Sequence, residues 1–144
     1  MATERHAEVT WNGSLIDGNG RIDSSTSGVL DSQPLTWRAR AEDGPNGTSP
    51  EDLIAAAHAG CFAMALSHGL AEGGTPADEL KTSATVTFQP GEGITKIALR
   101  VRGRVPGIDD AGFQKAAEDA KENCPVSKAL AAVPEMTLDV ELAG

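Results

Sequence analysis

The 144 residues carry 21 Asp and Glu against 12 Lys and Arg, a net charge of -9 that argues against general binding to a phosphate backbone and so against nucleic acid. With 40% apolar and 23% charged residues, the composition is that of a single globular domain spanning 1–144, not of a disordered or repetitive chain. The opening MATERHAEVTW has no apolar run of signal-peptide length, so a cytoplasmic protein is expected, with two cysteines that are free, catalytic or redox-active rather than permanently bridged.

Ala7, Val9 and Trp11 alternate with Glu8 and Thr10, which predicts a strand with one face buried. Asn12-Gly13 and the run Asp17 to Gly20 supply turn residues, so an opening hairpin is expected with Arg21 to Asp23 as its return strand. The polar stretch Ser24 to Gly28 reads as a loop before Val29 and Leu30. Leu35, Trp37, Ala39 and Ala41 alternate with Thr36, Arg38 and Arg40, the pattern of a strand whose two arginines project from the face opposite Trp37. The turn-rich EDGPNG at 42–47 then brings the chain round to a helix, so that Arg38 or Arg40 approaches Glu51.

That helix is the central element. Thr48 or Ser49 can cap it, Pro50 suits its first position, and Glu51 and Asp52 favour the positive end of its dipole. From Leu53 to Ala71 there is no Asp, Glu, Lys or Arg, and Leu53, Ala57, Cys61, Met64 and Ala65 recur at helical spacing. A membrane span is the competing reading. His58, Gly60, Ser67, His68 and Gly69 within the run favour a buried core helix instead, and its small Ala and Gly residues suit close packing against another backbone, such as a symmetric partner's.

Thr82, Ala84, Val86 and Phe88 alternate with polar residues, as do Ile97, Leu99, Val101 and Val105, and Gln89 to Gly93 turns between them, predicting a hairpin. Lys96, Arg100, Arg102 and Arg104 on its other face read as a solvated row, not a binding stripe. Asp109 caps a helix whose face is Phe113, Ala116, Ala117 and Ala120. Cys124 before Pro125 has the placement of a residue capping a new short helix running through Leu130, where backbone amides favour a thiolate. Met136, Leu138, Val140 and Leu142 alternate in a closing strand.

The groups with a chemical rationale are Cys61, Cys124, the two arginines and Glu51. A thiol with an ordinary pKa of about 8.5 is mostly protonated at neutral pH and needs a nearby cation to become nucleophilic. An arginine steadied by a carboxylate can supply it and still offer donors to an oxygen. A thiolate that attacks a peroxide becomes a sulfenic acid, which a second cysteine condenses with to form a disulfide. Whether Cys61 and Cys124 meet cannot be read from their spacing. A metal site of His58, Cys61 and Cys124 lacks a convincing fourth ligand, so no metal is expected. His58 ranks first as a packed helix residue, then as a polar partner of the thiol, and last as a ligand or base.

SPEDLIAAAHAGCFAMAL, followed far downstream by NCPVSKAL, resembles the OsmC/Ohr family of peroxide-detoxifying proteins, in particular its OsmC branch. TWRARAEDGPNGTSPEDL, ITKIALRVRGRVPGID and the closing strand extend the resemblance over nearly the whole chain. It implies an α+β fold with antiparallel sheets around a long central helix, built as an intertwined homodimer with active sites at the subunit interface. It further implies that Cys61 is the peroxidatic nucleophile, that Cys124 is the resolving cysteine, and that Glu51 is the family glutamate. Arg40 best matches the arginine pairing with that glutamate and the thiolate, while Arg38 shares the same face of the expected strand. The implied enzyme is a cysteine-based peroxidase that reduces organic hydroperoxides better than hydrogen peroxide, with Phe62 and Met64 among the apolar residues near Cys61. It binds no cofactor or membrane, and its disulfide is reset by an external dithiol, a dihydrolipoyl group on a protein. A non-catalytic redox sensor and an inert structural dimer are the alternatives.

Overall fold

A computed structural model describes residues 2–42 and 47–143, so most of the turn expected at 42–47 lies outside the described residues. The chain forms two compact units, Met1–Leu53 and Ile54–Gly144.

In the first unit, β1 (Ala7–Asn12), β2 (Asn19–Ser25) and β3 (Pro34–Leu35) form an antiparallel sheet in the order β1-β2-β3. The hairpin turn spans Gly13, at φ +88°, to Gly18, whose N–H donates to Ser14 O at 2.8 Å. The return strand therefore starts two residues before Arg21. Trp11 lies across the partner strand over Gly20, where an added Cβ would come within 2.5 Å of the indole. β1 is exposed along its whole length, with Val9 54% and Trp11 38% exposed, and so lacks the buried face its alternation predicts. Alternation assigns side chains to two faces, but a covering layer must come from elsewhere.

The strand expected over residues 35–41 ends at Leu35. Thr36 instead caps α1 (Trp37–Ala41), its Oγ1 accepting from Ala39 N at 3.0 Å. In TWRARA the N-cap threonine and the helix-favouring Ala and Arg prevail over the two-residue alternation. Arg38 and Arg40 accordingly do not share a strand face.

α2 (Pro50–Glu72) begins in the first unit and continues into the second. There it is followed by β4 (Glu79–Gln89), β5 (Gly93–Arg104), α3 (Asp110–Asn123), α4 (Pro125–Ala129) and β6 (Glu135–Leu142). β4 and β5 form the expected hairpin, turning through Gly91 and Gly93, both at positive φ. β6 pairs with β5 in parallel, so this sheet, β4-β5-β6, is mixed rather than antiparallel. The crossover through α3 and α4 carries the chain back to the starting end of β5, which a hairpin loop does not do.

The core joins Phe62, Leu66 and Leu70 of α2 to Ile97, Leu99 and Val101 of β5 and Phe113, Ala117 and Ala120 of α3. Phe113 fills the space that a Cβ at Gly103 would need. The buried line on α2 is His58, Phe62, Leu66 and Leu70, spaced by four, not the expected line through Ala57, Cys61 and Met64. Nor is α2 buried all round: Ala56, Ala57 and Gly60 are exposed, and Met64 is 75% exposed. By length and composition the helix resembles a membrane span, but its bulkiest side chains belong to this core.

The basic row of β5 is matched by acids on both neighbours: Lys96 with Glu135 at 3.7 Å, Arg100 with Asp139 at 3.5 Å, Arg102 with Glu141 at 3.8 Å and Arg104 with Glu79 at 3.7 Å. These are exposed cross-strand pairs, as a solvated row requires.

Candidate active site

Two groups of candidate residues assemble, one in each unit. In the first, Ser49 caps α2 by accepting from Asp52 N at 3.1 Å, which fixes the opening turn and places Glu51 in it, 7% exposed. Arg40 grips this carboxylate with two prongs, Nε to Oε1 at 3.0 Å and Nη2 to Oε2 at 3.2 Å. Residues two apart on a helix point roughly 200° apart, so Arg38 is directed elsewhere and pairs with exposed Glu42 at 3.2 Å. The helix in place of a strand is what separates the two arginines.

In the second unit Cys61 and Cys124, 63 positions apart, are free thiols joined by a hydrogen bond. Cys61 lies on α2 and is partly exposed, whereas Cys124 is fully buried. Cys124 ends α3, its N–H donating to Ala120 O at 2.9 Å, and starts α4 with Pro125 in the first helical position. The following amides of Val126 and Ser127 and the Ser127 hydroxyl lie close enough to its sulfur to favour the charged form.

Burial pushes the Cys124 thiol up, but the hydrogen bonds from Cys61, from both groups of Ser127 and from Val126 outweigh it, and the net direction is down. For Cys61, burial and then the bond to Cys124 push the thiol up, against a smaller opposing pull from the Val126 amide. The two directions describe one arrangement, in which charge is favoured on Cys124 over Cys61. The low-pKa environment expected of a cysteine before a helix-starting proline is thus present.

His58 is fully buried one turn before Cys61, and its Nε2 lies 2.7 Å from Ser127 Oγ. Burial holds its pKa below the ordinary value. It is therefore both a packed helix residue and a polar partner, reaching the thiols through Ser127. Ser127 was not singled out by the sequence. The available signal was its place as third residue of the helix after Cys124, where a side chain folds back on the cap. Phe62 is fully buried in the core and Met64 is exposed. Among the described residues no group of three or more His, Cys, Asp and Glu is placed to hold a metal ion.

The second unit thus holds a partly exposed thiol with a second thiol beside it, and the first unit, by itself, a carboxylate-steadied guanidinium. A model of the OsmC family, described as OsmC-like protein, matches residues 42–139. Peroxiredoxin OsmC of Escherichia coli (strain K12) is 43% identical over 145 residues, covering 99% of both chains. The organic hydroperoxide resistance protein of Xanthomonas axonopodis pv. citri (strain 306) is 32% identical over 144 residues, covering 96% of this chain and 98% of its own. Among solved structures, the organic hydroperoxide resistance protein OhrB of Bacillus subtilis superposes with a TM-score of 0.63 at 29% identity, covering 96% of this chain and 98% of that one. Full-length similarity of sequence and of fold shows that this chain is a member of the OsmC family.

Proposed function

We propose that the chain is a cysteine-based peroxidase that reduces organic hydroperoxides to alcohols. The observation that carries this reading is the contact between a partly exposed Cys61 and a fully buried Cys124. A hydroperoxide can reach the first sulfur, and only the first is positioned to hand its oxidised form to the second. The names of the relatives, a peroxiredoxin and organic hydroperoxide resistance proteins, support the substrate class.

In this mechanism the Cys61 thiolate attacks the terminal peroxide oxygen. The O–O bond breaks, an alkoxide leaves and takes a proton to become the alcohol, and Cys61 becomes a sulfenic acid. The Cys124 thiolate then attacks that sulfur, an S–S bond forms, and hydroxide leaves as water after protonation. A dithiol, a dihydrolipoyl group on a partner protein, reduces the disulfide by exchange and is itself oxidised to a cyclic disulfide. Because burial and Cys124 both disfavour charge on Cys61, a cation is required before attack. Arg40, held by Glu51, is assigned that role. No bound cofactor or metal takes part.

The reading includes a homodimer in which residues 1–144 act as one domain. The exposed small residues of α2, with Met64 beside them, support it, since a second copy would cover them. Steady-state reduction of cumene hydroperoxide and of hydrogen peroxide with dihydrolipoamide tests the activity. Turnover with preference for the organic substrate is expected, and no turnover with any dithiol would leave a sensor or a structural dimer.

A further inference from the structure

The buried polar group that this mechanism leaves unused is His58. Its Nε2 is 2.7 Å from Ser127 Oγ, 69 positions away, and its Nδ1 is buried with no hydrogen-bond partner among the described residues. These two facts fix the direction of the bond. If Nε2 accepted from Ser127, the ring proton would sit on Nδ1 as an orphaned buried N–H, an arrangement rarer than an unfilled acceptor. The proton therefore belongs on Nε2, which donates to Ser127 Oγ. With its oxygen accepting from His58, Ser127 is left to donate its own hydrogen, and the sulfur of Cys124 is its neighbour.

We propose that His58 and Ser127 form a one-way donor chain, His58 Nε2–H to Ser127 Oγ and Ser127 Oγ–H to Cys124 Sγ, that holds the resolving sulfur ready to close on Cys61. Ser127 touches the reacting sulfur and His58 acts through it as a positioning residue. The chain donates hydrogen bonds and transfers no proton: the proton Cys124 gives up is balanced by the one the departing hydroxide takes to become water. Neutral His58 suits this task, and its burial keeps it neutral. The titratable groups bearing on Cys124 are Cys61 and, one step removed, His58, both from α2.

The inference rests on the resolving role of Cys124, but its test does not need peroxide. In a Cys61→Ser background, Cys124 is titrated by thiolate absorbance and by the pH dependence of iodoacetamide alkylation. Adding Ser127→Ala is expected to raise the Cys124 pKa by about one unit, roughly a tenfold loss of thiolate at a given lower pH. His58→Phe, which removes the donor and keeps a ring, is expected to move it in the same direction. His58→Gln, which keeps an N–H near the same place, is expected to restore most of the parental value. A merely structural role would lower the melting temperature in all three without moving the titration. If Ser127→Ala is folded by circular dichroism and titrates as its parent does, the donor chain is overturned, whether or not His58→Phe folds. Absent peroxidase turnover with a Ser127-dependent titration would defeat the peroxidase reading and leave the donor chain standing. Normal turnover with an unmoved titration would do the reverse.

Discussion

Cys61 and Cys124 lie against one another at the start of α4, where the surroundings favour charge on the fully buried Cys124 and disfavour it on the partly exposed Cys61. The division suits a two-step cycle. On the proposed mechanism the partly exposed sulfur meets the substrate, and the buried one closes on the sulfenic acid formed beside it.

The Arg40 and Glu51 pair gives a comparison with an internal control. Arg40→Lys keeps the charge but loses the two-pronged grip, and turnover is expected to fall about tenfold or more. Glu51→Gln should lower turnover similarly, since it leaves the guanidinium without its steadying charge. Arg38→Ala, which breaks only an exposed pair with Glu42, should change stability by less than about 0.5 kcal/mol and leave turnover unchanged. Steady-state rates and urea midpoints for the three variants check this.

The two thiols give stability a maximum in pH. Between the lowered Cys124 value and the ordinary 9.0, the unfolded chain holds a proton that the folded one has lost, so stability rises with pH. Above 9.0 the unfolded chain loses the Cys61 proton that the folded chain retains, so stability falls. Urea midpoints measured under reducing conditions should therefore peak where an ordinary unfolded thiol titrates, about pH 8.5 to 9.0. Cys124→Ser should remove the rising limb, and Cys61→Ser the falling one.

His58 adds an acid limb. Its folded pKa lies below the ordinary 6.5, so the unfolded chain takes up a proton first as pH falls, and stability declines from about pH 6.5 downward. The decline should be absent in His58→Gln. Midpoints at pH 5 and pH 7, compared between the two proteins, measure it.

Gly103→Ala tests the core. Its new methyl group would meet the ring of Phe113, which is fully buried and has no open side to retreat to. A loss of about 1–3 kcal/mol is expected in thermal or urea unfolding, partly recovered by Phe113→Leu in the same chain.

What the sequence made legible was local. Ser49-Pro50-Glu51 announces the start of α2, Asp109 that of α3, Cys124-Pro125 that of α4, and the β4 and β5 alternation survives intact. The misreadings have local causes as well. TWRARA fits both a strand and a helix, and the Thr36 cap decides between them. The burial of one α2 line rather than another depends on which elements pack there, and the parallel placement of β6 depends on a crossover. The site was legible in its residue types, and its pairings were implied only by the family resemblance. Arg40 could be told from Arg38 only once α1 replaced the strand, and the His58 bond to Ser127 joins residues 69 apart with no shared motif.

On the proposed mechanism Cys61 is oxidised first and Cys124 closes on it. The most direct measurement is mass spectrometry of the reduced protein after one equivalent of cumene hydroperoxide, with a sulfenic-acid trap present, for the wild type, Cys61→Ser and Cys124→Ser. A Cys61 to Cys124 disulfide is expected in the wild type, trapped sulfenic acid on Cys61 in Cys124→Ser, and no oxidation in Cys61→Ser. Sulfenic acid on Cys124 in Cys61→Ser at the wild-type rate would contradict that mechanism, because the buried thiolate would then be the nucleophile.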